Sequence, residues 1–252
     1  MIDVLVIGAR GRMGTLVSTT VAAEPDMRLV GLVDPAFRDG ERAAAPTFSD
    51  LDAALREISP TVAVEFSTPA SVYENCRRTL AAGVNTVVGA TGLTDEQTSD
   101  LERLAAAHGA GLFIAPNFAL GAVLVMRFAA EAARYYARAE IVELHHEKKV
   151  DAPSGTALRT ARLMRAQEGA TLVSAGEGPP SRGQLVEGIP VHSVRLPGLV
   201  AHQEVLFGGT GELLTLRHDS LSHESFMPGV LLAIRKTARL SGTVIGLERL
   251  LD

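Results

Sequence analysis

The chain has 252 residues, 46% of them hydrophobic and 21% charged, with a formal net charge of −5. That is enough apolar material for one large or two modest packed domains without staples, and without a long run of positive charge it offers no basic face for a nucleic acid. Cys76 is the only cysteine, no apolar run is long enough to cross a bilayer, and the first residues lack the pattern of a secretory signal, so a soluble cytoplasmic protein is expected.

In chain order, near-continuous apolar runs predict strands at Ile2–Ile7, Arg28–Val33, Thr61–Phe66, Val84–Val88 and Gly111–Ala115. Amphipathic helical patterns lie between them, at Arg12–Ala23, Ser49–Glu57, Pro69–Ala82 and Thr94–Ala107. Thr68-Pro69 reads as an N-cap followed by Pro at the first helical position, Gly83 as a C-cap, and Thr94-Asp95-Glu96-Gln97 as a capping box. Repeated β-α alternation predicts an α/β, Rossmann-like, doubly wound parallel sheet over residues 1–118.

The second half differs. A long Ala-rich helix is expected at Leu120–Ala137, a strand at Ile141–Glu147, a helix at Thr156–Gln167 and a Gly/Pro/Ser-rich loop over 169–188. Strands follow at Val191–Leu196, Gln203–Phe207 and Leu213–His218, the last two joined by a tight turn at Gly208-Gly209-Thr210-Gly211. Strands without intervening helices predict a second, α+β domain over 119–228 with a mainly antiparallel (mixed) sheet. Helical periodicity over Pro228–Leu240 suggests a C-terminal helix, taken as 229–252, that completes the first domain.

Two regions carry chemistry. Gly8-Ala9-Arg10-Gly11-Arg12-Met13-Gly14 follows the first strand and opens the first helix. Glycines there allow a tight turn and close approach of a pyrophosphate, and the helix N-terminus offers N–H groups to it. Asp34 ends the second strand, where a carboxylate accepts hydrogen bonds from an adenosine ribose. These residues point to NADH or NADPH. Asp34 favours NADH because it repels a 2′-phosphate, whereas Arg10, Arg12 and Arg38 could hold one. Gly89-Ala90-Thr91-Gly92 and Ala115-Pro116-Asn117-Phe118 follow strands at the same sheet edge and would border the nicotinamide.

The second region is Glu143-Leu144-His145-His146-Glu147-Lys148-Lys149-Val150-Asp151-Ala152-Pro153-Ser154-Gly155-Thr156. Ser154, Gly155 and Thr156 at a helix start form a carboxylate-binding arrangement, and Lys149 adds a charge beside it. In a regular strand His145 and Lys149 would be roughly 13 Å apart at about 3.3 Å per residue. Either they serve different ends of a substrate, or the chain bends between them. His146 would face the opposite side, so the strand is expected to end or kink here.

The run His-His-x-x-Lys-x-Asp-Ala-Pro-Ser-Gly-Thr resembles the signature of the 4-hydroxy-tetrahydrodipicolinate reductase (dihydrodipicolinate reductase) family. The likeness extends along the chain through Gly8–Gly14, Gly89–Gly92, Ala115–Phe118 and residues 198–208. It implies NAD(P)H-dependent reduction of a small dicarboxylate on the route to diaminopimelate and lysine, by a homotetramer joined through the second domain's sheet. It makes His145 the general acid or base and Lys149 the proton donor. Substrate contacts fall on His146, Gly155 and Thr156, with Ser154 in the same turn. Dinucleotide contacts fall on Gly8, Ala9, Arg10, Gly11, Arg12, Met13, Asp34, Gly89, Ala90, Thr91, Ala115, Pro116, Asn117 and Phe118. Two positions depart from the family pattern: Ala90 replaces a Thr, removing one hydroxyl, and Lys148 replaces His or an uncharged polar residue.

The competing readings are a dehydrogenase of another small acid and a non-catalytic NAD(H)-sensing regulator. A sensor needs no proton donor beside a carboxylate pocket, which argues against the latter. No metal is expected. His192, His202, His218 and His223 lack ligand spacing and are expected to be satisfied or surface histidines, His202 with a structural role at an oligomer interface.

Overall fold

The computed structural model describes residues 1–38, 41, 43–176 and 178–251; positions 39, 40 and 42, position 177 in the 169–188 segment, and position 252 at the C-terminus lie outside it. The chain divides into two units, Met1–Phe118 with Phe226–Asp252, and Ala119–Ser225.

The first unit is built on seven parallel strands: β1 (Ile2–Ile7), β2 (Met27–Val33), β3 (Thr47–Phe48), β4 (Val62–Glu65), β5 (Asn85–Val88), β6 (Gly111–Ile114) and β12 (Gly242–Ile245). Their order is β12-β6-β5-β4-β1-β2-β3, so the winding reverses between β1 and β4. The helices are α1 (Arg12–Ala23), α2 (Leu51–Glu57), α3 (Val72–Ala81), α4 (Asp95–His108) and α7 (Met227–Thr237). Helices α2, α3 and α4 pack in one row, and α1 packs on α7. Covered faces explain the continuous apolar runs: Val4, Leu5, Val6, Val62, Ala63 and Val64 are all wholly buried.

The capping box at Thr94 forms: Thr94 Oγ1 accepts from Gln97 N–H at 3.2 Å and Gln97 Oε1 from Thr94 N–H at 3.0 Å. Thr68-Pro69 is not the start of α3. Ser71 and Val72 N–H both bond to Thr68 C=O, a turn that precedes the helix, and Ser71 is the N-cap. Helix α2 begins later than Ser49, because Asp50 Oδ1 accepts from Ala53 N–H at 2.9 Å and caps it.

The C-terminal segment is not a single helix over 229–252. Helix α7 stops at Thr237; Gly242 (φ 84°) and Gly246 (φ 99°) take left-handed backbone and bracket Thr243-Val244-Ile245, which pairs with β6 as a seventh strand. Three β-branched residues between positive-φ glycines suit an extended chain, and the helical periodicity did not reach this far.

The second unit has a five-stranded sheet ordered β11-β10-β7-β9-β8, with β7 Arg138–His145, β8 Gln184–Val186, β9 Ile189–Arg195, β10 Ala201–Gly209 and β11 Glu212–Ser220. All pairs are antiparallel except β7 with β9, which are joined through α6 (Gly155–Ala166) and run parallel. Helices α5 (Leu120–Ala132) and α6 cover one face, around Ala129, Ile141, Ala161, Met164, Val205 and Phe207. The β10–β11 turn is the tight one expected: Gly209 pairs with Glu212 across Thr210-Gly211, with Gly211 at φ 77°.

Helix α5 ends at Ala132 rather than Ala137, because residues 134–136 close successive turns onto Glu131 and Ala132 carbonyls. The 169–188 segment is not all loop, since it holds a 3-10 turn at Pro180–Arg182 and the edge strand β8. Strand β7 ends at His145, not Glu147.

Candidate active site

Every parallel strand of the first unit delivers its following loop to one sheet edge, and the reversal between β1 and β4 opens a crevice there. A cleft of about 590 Å³ occupies it, lined by Gly8, Gly11, Asp34, Ser67, Thr68 and Asn75 among others. Gly8 sits at φ 76°, and a Cβ there would come 2.7 Å from Phe66 C=O. A Cβ on Gly14 would come 2.1 Å from Gly8 C=O, so α1 closes directly onto the loop. Gly11 is the N-cap of α1 and has no side-chain cap. The first turn of α1 carries no acidic residue, so it presents the positive end of the helix to the cleft. This cradle fits a dinucleotide pyrophosphate.

Asp34 is held by Arg10 N–H on Oδ2 at 3.1 Å and Ala36 N–H on Oδ1 at 2.9 Å, which leaves further lone pairs for ribose hydroxyls. Of the arginines expected to favour a 2′-phosphate, Arg10 is engaged. Its Nη1 lies 2.5 Å from Glu41 Oε1, and its guanidinium lies over Phe37 at 5.4 Å. Arg12 and Arg38 are exposed.

Gly89 and Ala90 N–H both bond to Glu65 C=O, and Ala115 N–H to Val88 C=O, which fixes these loops at the ends of their strands. Gly89 is required by crowding: a Cβ would meet the Phe66 ring at 2.2 Å and the Phe118 ring at 2.8 Å. Phe118 is itself buried, 5.6 Å from Phe66 and 6.2 Å from Phe113 between ring centroids. Its side chain therefore anchors the loop in the core, while Thr91 and Pro116 are exposed. Sequence reasoning missed Ser67, Thr68, Ser71 and Asn75, which lie after β4 on the far wall of the cleft. Glu65 positions this wall by accepting from Ser67 N–H at 2.6 Å; burial pushes its carboxyl above the usual range.

The second cluster belongs to the Ala119–Ser225 unit. His145 is the last residue of β7, and Glu143 lies two residues earlier on the same face. Glu143 is wholly buried, and its Oε2 lies 2.5 Å from His145 Nδ1. Arg195, at the end of β9, grips the same carboxylate with Nη1 to Oε2 and Nη2 to Oε1, both 2.8 Å. Ser154 N–H donates to Glu143 Oε1 at 3.2 Å. Burial alone would raise the carboxyl's pKa, but hydrogen bonds from His145, Arg195 and Ser193 prevail and hold it at about 2.

Past His145 the chain turns, with Lys149 N–H bonded to His146 C=O at 3.1 Å. The extended 13 Å spacing of His145 and Lys149 therefore does not apply; the chain bends between them, and His146 is exposed on the turn. Lys149 Nζ donates to Asp151 Oδ1 at 2.7 Å. Helix α6 starts at Gly155, one residue before the expected Thr156, because Ser154 is its N-cap and accepts from Ala157 N–H at 3.2 Å. Ser154's N–H and oxygen thus serve the fold. Nothing lies within 4 Å of where a Gly155 Cβ would be, so the helix start is approachable.

Residues 2–118 match the family model for dihydrodipicolinate reductase, N-terminus, and residues 121–251 that for its C-terminus. The chain belongs to the dihydrodipicolinate reductase family. It is similar to a 4-hydroxy-tetrahydrodipicolinate reductase of Moorella thermoacetica, 45% identical over 262 residues, covering 100% of this chain and 98% of that one. A second relative of the same name, from Desulfitobacterium hafniense, is 48% identical over 268 residues, covering 100% of this chain and 99% of that one. The solved structure of a dipicolinate-bound dihydrodipicolinate reductase from Paenisporosarcina sp. TG-14 superposes with a TM-score of 0.87 at 41% identity, covering 100% of both chains.

Four further titratable groups of this reductase-family chain are either paired or buried. His192 Nε2 lies 2.8 Å from Glu140, and His202 Nδ1 lies 2.7 Å from Asp219. His218 is held below its usual range by burial, against Gly121. Cys76 is wholly buried, with its thiol pushed well above its ordinary range by desolvation. Among the described residues no group of three or more His, Cys, Asp or Glu is placed to hold a metal ion, and no helix is long and apolar enough to cross a membrane.

Proposed function

We propose that this chain reduces 4-hydroxy-tetrahydrodipicolinate to tetrahydrodipicolinate, with loss of water, on the route to diaminopimelate and lysine, using NADH or NADPH. The observation that carries the reading is His145, aimed by the buried Glu143 and lying in the same unit as the open start of α6. The family match over both halves of the chain supports it.

In this reading the pyrophosphate lies against Gly8, Ala9, Arg10, Gly11, Arg12 and Met13, and the adenosine ribose on Asp34. The loops Gly89–Thr91 and Ala115–Phe118 border the nicotinamide through their backbone, so Ala90 loses a hydroxyl without losing the loop. Water leaves the ring as its hydroxyl together with a proton from the adjacent carbon, giving a conjugated imine, and a bound cofactor would supply hydride to the carbon that lost the hydroxyl. His145 then delivers a proton through Nε2, and Lys149 supplies positive charge and a second proton source. Gly155 and Thr156 hold a substrate carboxylate at the helix start, His146 adds a cationic or N–H partner, and Ser154 holds the helix start in place. Lys148 is exposed, and no role depends on it.

The first unit with its C-terminal segment is then the dinucleotide domain, and the second unit the substrate and oligomerisation domain. A homotetramer joined through the five-stranded sheet fits the exposed Leu213 on β11 and Leu196 just beyond β9. A cytoplasmic location fits a biosynthetic reductase that draws on soluble NAD(P)H.

The test follows NADH and NADPH oxidation at the nicotinamide absorbance, with substrate made in place from pyruvate and aspartate semialdehyde by the preceding synthase. Oxidation that requires every component supports the proposal. Protein that binds NADH yet oxidises neither cofactor under these conditions overturns it, in favour of another acid or of a sensor.

A further inference from the structure

We propose that Arg195 is a positioning residue for this reaction, acting through Glu143 on His145; the inference rests on the proton-delivery role given to His145 above. Arg195 is the last residue of β9, in the same unit as His145. It is brought to His145 by sheet register, since β7 and β9 run parallel with His145 paired to Arg195 and Glu143 to Ser193.

The hydrogen-bond inventory shows what the arginine does. Glu143 is wholly buried and accepts from His145 Nδ1, Arg195 Nη1, Arg195 Nη2, Ser154 N–H and the Ser193 side chain. An ionised carboxylate only accepts, so the proton of the 2.5 Å contact belongs to His145 Nδ1. That fixes the imidazole tautomer and leaves Nε2 as the atom that exchanges protons with substrate. The arrangement depends on Glu143 staying charged. A carboxylate removed from water without a cation tends to neutralise itself by taking up a proton. A protonated Glu143 would donate to Nδ1, move the ring proton to Nε2 and invert the side chain's chemistry. The bidentate guanidinium prevents this.

The same guanidinium also reaches the substrate loop. Arg195 Nη2 donates to Asp151 C=O at 2.7 Å, and Asp151's carboxylate holds Lys149 Nζ at 2.7 Å. One planar group therefore ties together the tautomer of His145, the loop that carries Lys149 and, through Glu143 Oε1, the cap of α6. A lysine keeps the charge but cannot span both carboxylate oxygens and the Asp151 carbonyl in one plane.

The experiment compares Arg195→Lys, Arg195→Met and the double variant Glu143→Gln/Arg195→Met with the wild type. It measures kcat, substrate KM, NADH affinity by fluorescence, melting temperature, and the His145 tautomer by nitrogen NMR of isotope-labelled imidazole. Expected for Arg195→Met is a fall in kcat of about 10- to 100-fold with NADH affinity changed less than about twofold, and loss of the pure Nδ1–H signal. Arg195→Lys should fall between, with partial recovery of the tautomer. Removing Arg195 alone leaves a buried carboxylate unpaired and can prevent folding. The double variant removes both charges, so it should regain the melting temperature while staying slow and of mixed tautomer. A double variant with wild-type kcat, or an Arg195→Met protein that keeps the Nδ1–H signal and kcat and loses only stability, overturns the proposal. A wild type with no reductase activity strikes at the function proposed above; the tautomer measurement still decides for or against the role of Arg195.

Discussion

Glu143 Oε2 lies 2.5 Å from His145 Nδ1, two residues away on the same face of β7. Alternation along a strand makes i and i+2 neighbours, so the pairing follows from local geometry once this segment is extended. It leaves Nε2 as the working nitrogen of His145. His145→Ala should therefore lower kcat by about 100-fold and leave NADH affinity nearly unchanged. Steady-state kinetics beside a fluorescence titration of NADH checks this; unaltered turnover would remove His145 from the chemistry.

The Glu143 carboxyl gives a stability prediction with a definite sign. Its folded pKa, about 2, lies below the ordinary 4.5. Its contribution is therefore complete above pH about 4.5 and fades as pH falls toward about 2, amounting to about 3 kcal/mol when complete. The difference in unfolding free energy between wild type and Glu143→Gln, followed by urea titration from pH 6 downward, should shrink across that window. A difference independent of pH would mean that the carboxylate is not held in this way.

Cofactor choice turns on the surroundings of Asp34. Arg10 is paired with Glu41, which opposes its use by a 2′-phosphate. Glu41→Gln should raise NADPH affinity relative to NADH by about fivefold, the scale of one exposed ion pair. Asp34→Ala should weaken NADH binding and affect NADPH less. Fluorescence titrations with both cofactors measure both ratios; equal weakening of the two cofactors by Asp34→Ala would rule out its ribose role.

Two glycines of the phosphate loop should separate folding from binding. Gly14→Ala would drive a methyl to 2.1 Å from Gly8 C=O, and the clash should cost about 2 kcal/mol or more in stability. Gly11 has φ −67°, and its Cβ would stand 3.2 Å from the same oxygen, on the lining of the cleft. Gly11→Ala should keep most of its melting temperature and lose cofactor affinity, by about tenfold. Calorimetry and an NADH titration on both variants would show whether the two losses divide this way.

Much of the fold could be read from local pattern. Strand β1 and helix α1 have the predicted ends, and the capping box at Thr94 formed as its spacing required. Errors gathered where local and tertiary signals compete. Thr68-Pro69 has the grammar of a helix start, but Ser71 took the cap and left Thr68 on the cleft wall. That the Phe118 ring is core, packed between Phe66 and Phe113, was likewise not legible from the loop it ends. The helix expected over 229–252 outran its own signal, since the apolar periodicity ends at Leu240 and the helix at Thr237. The open edge beside β6, which recruits Thr243-Val244-Ile245 as a strand, is visible only in three dimensions.

The sequence by itself determined the alternation of strands and helices, the glycine loop on the first helix and the density of ionisable groups from Glu143 to Thr156, because each depends on residues within a few turns of chain. Only the tertiary structure decided that β4 stands beside β1, which makes Ser67 and Asn75 part of the cleft, and that Arg195 stands beside His145. Strand order and register are set by packing over the whole sheet. A contact between residues 52 positions apart leaves no periodic trace in the chain.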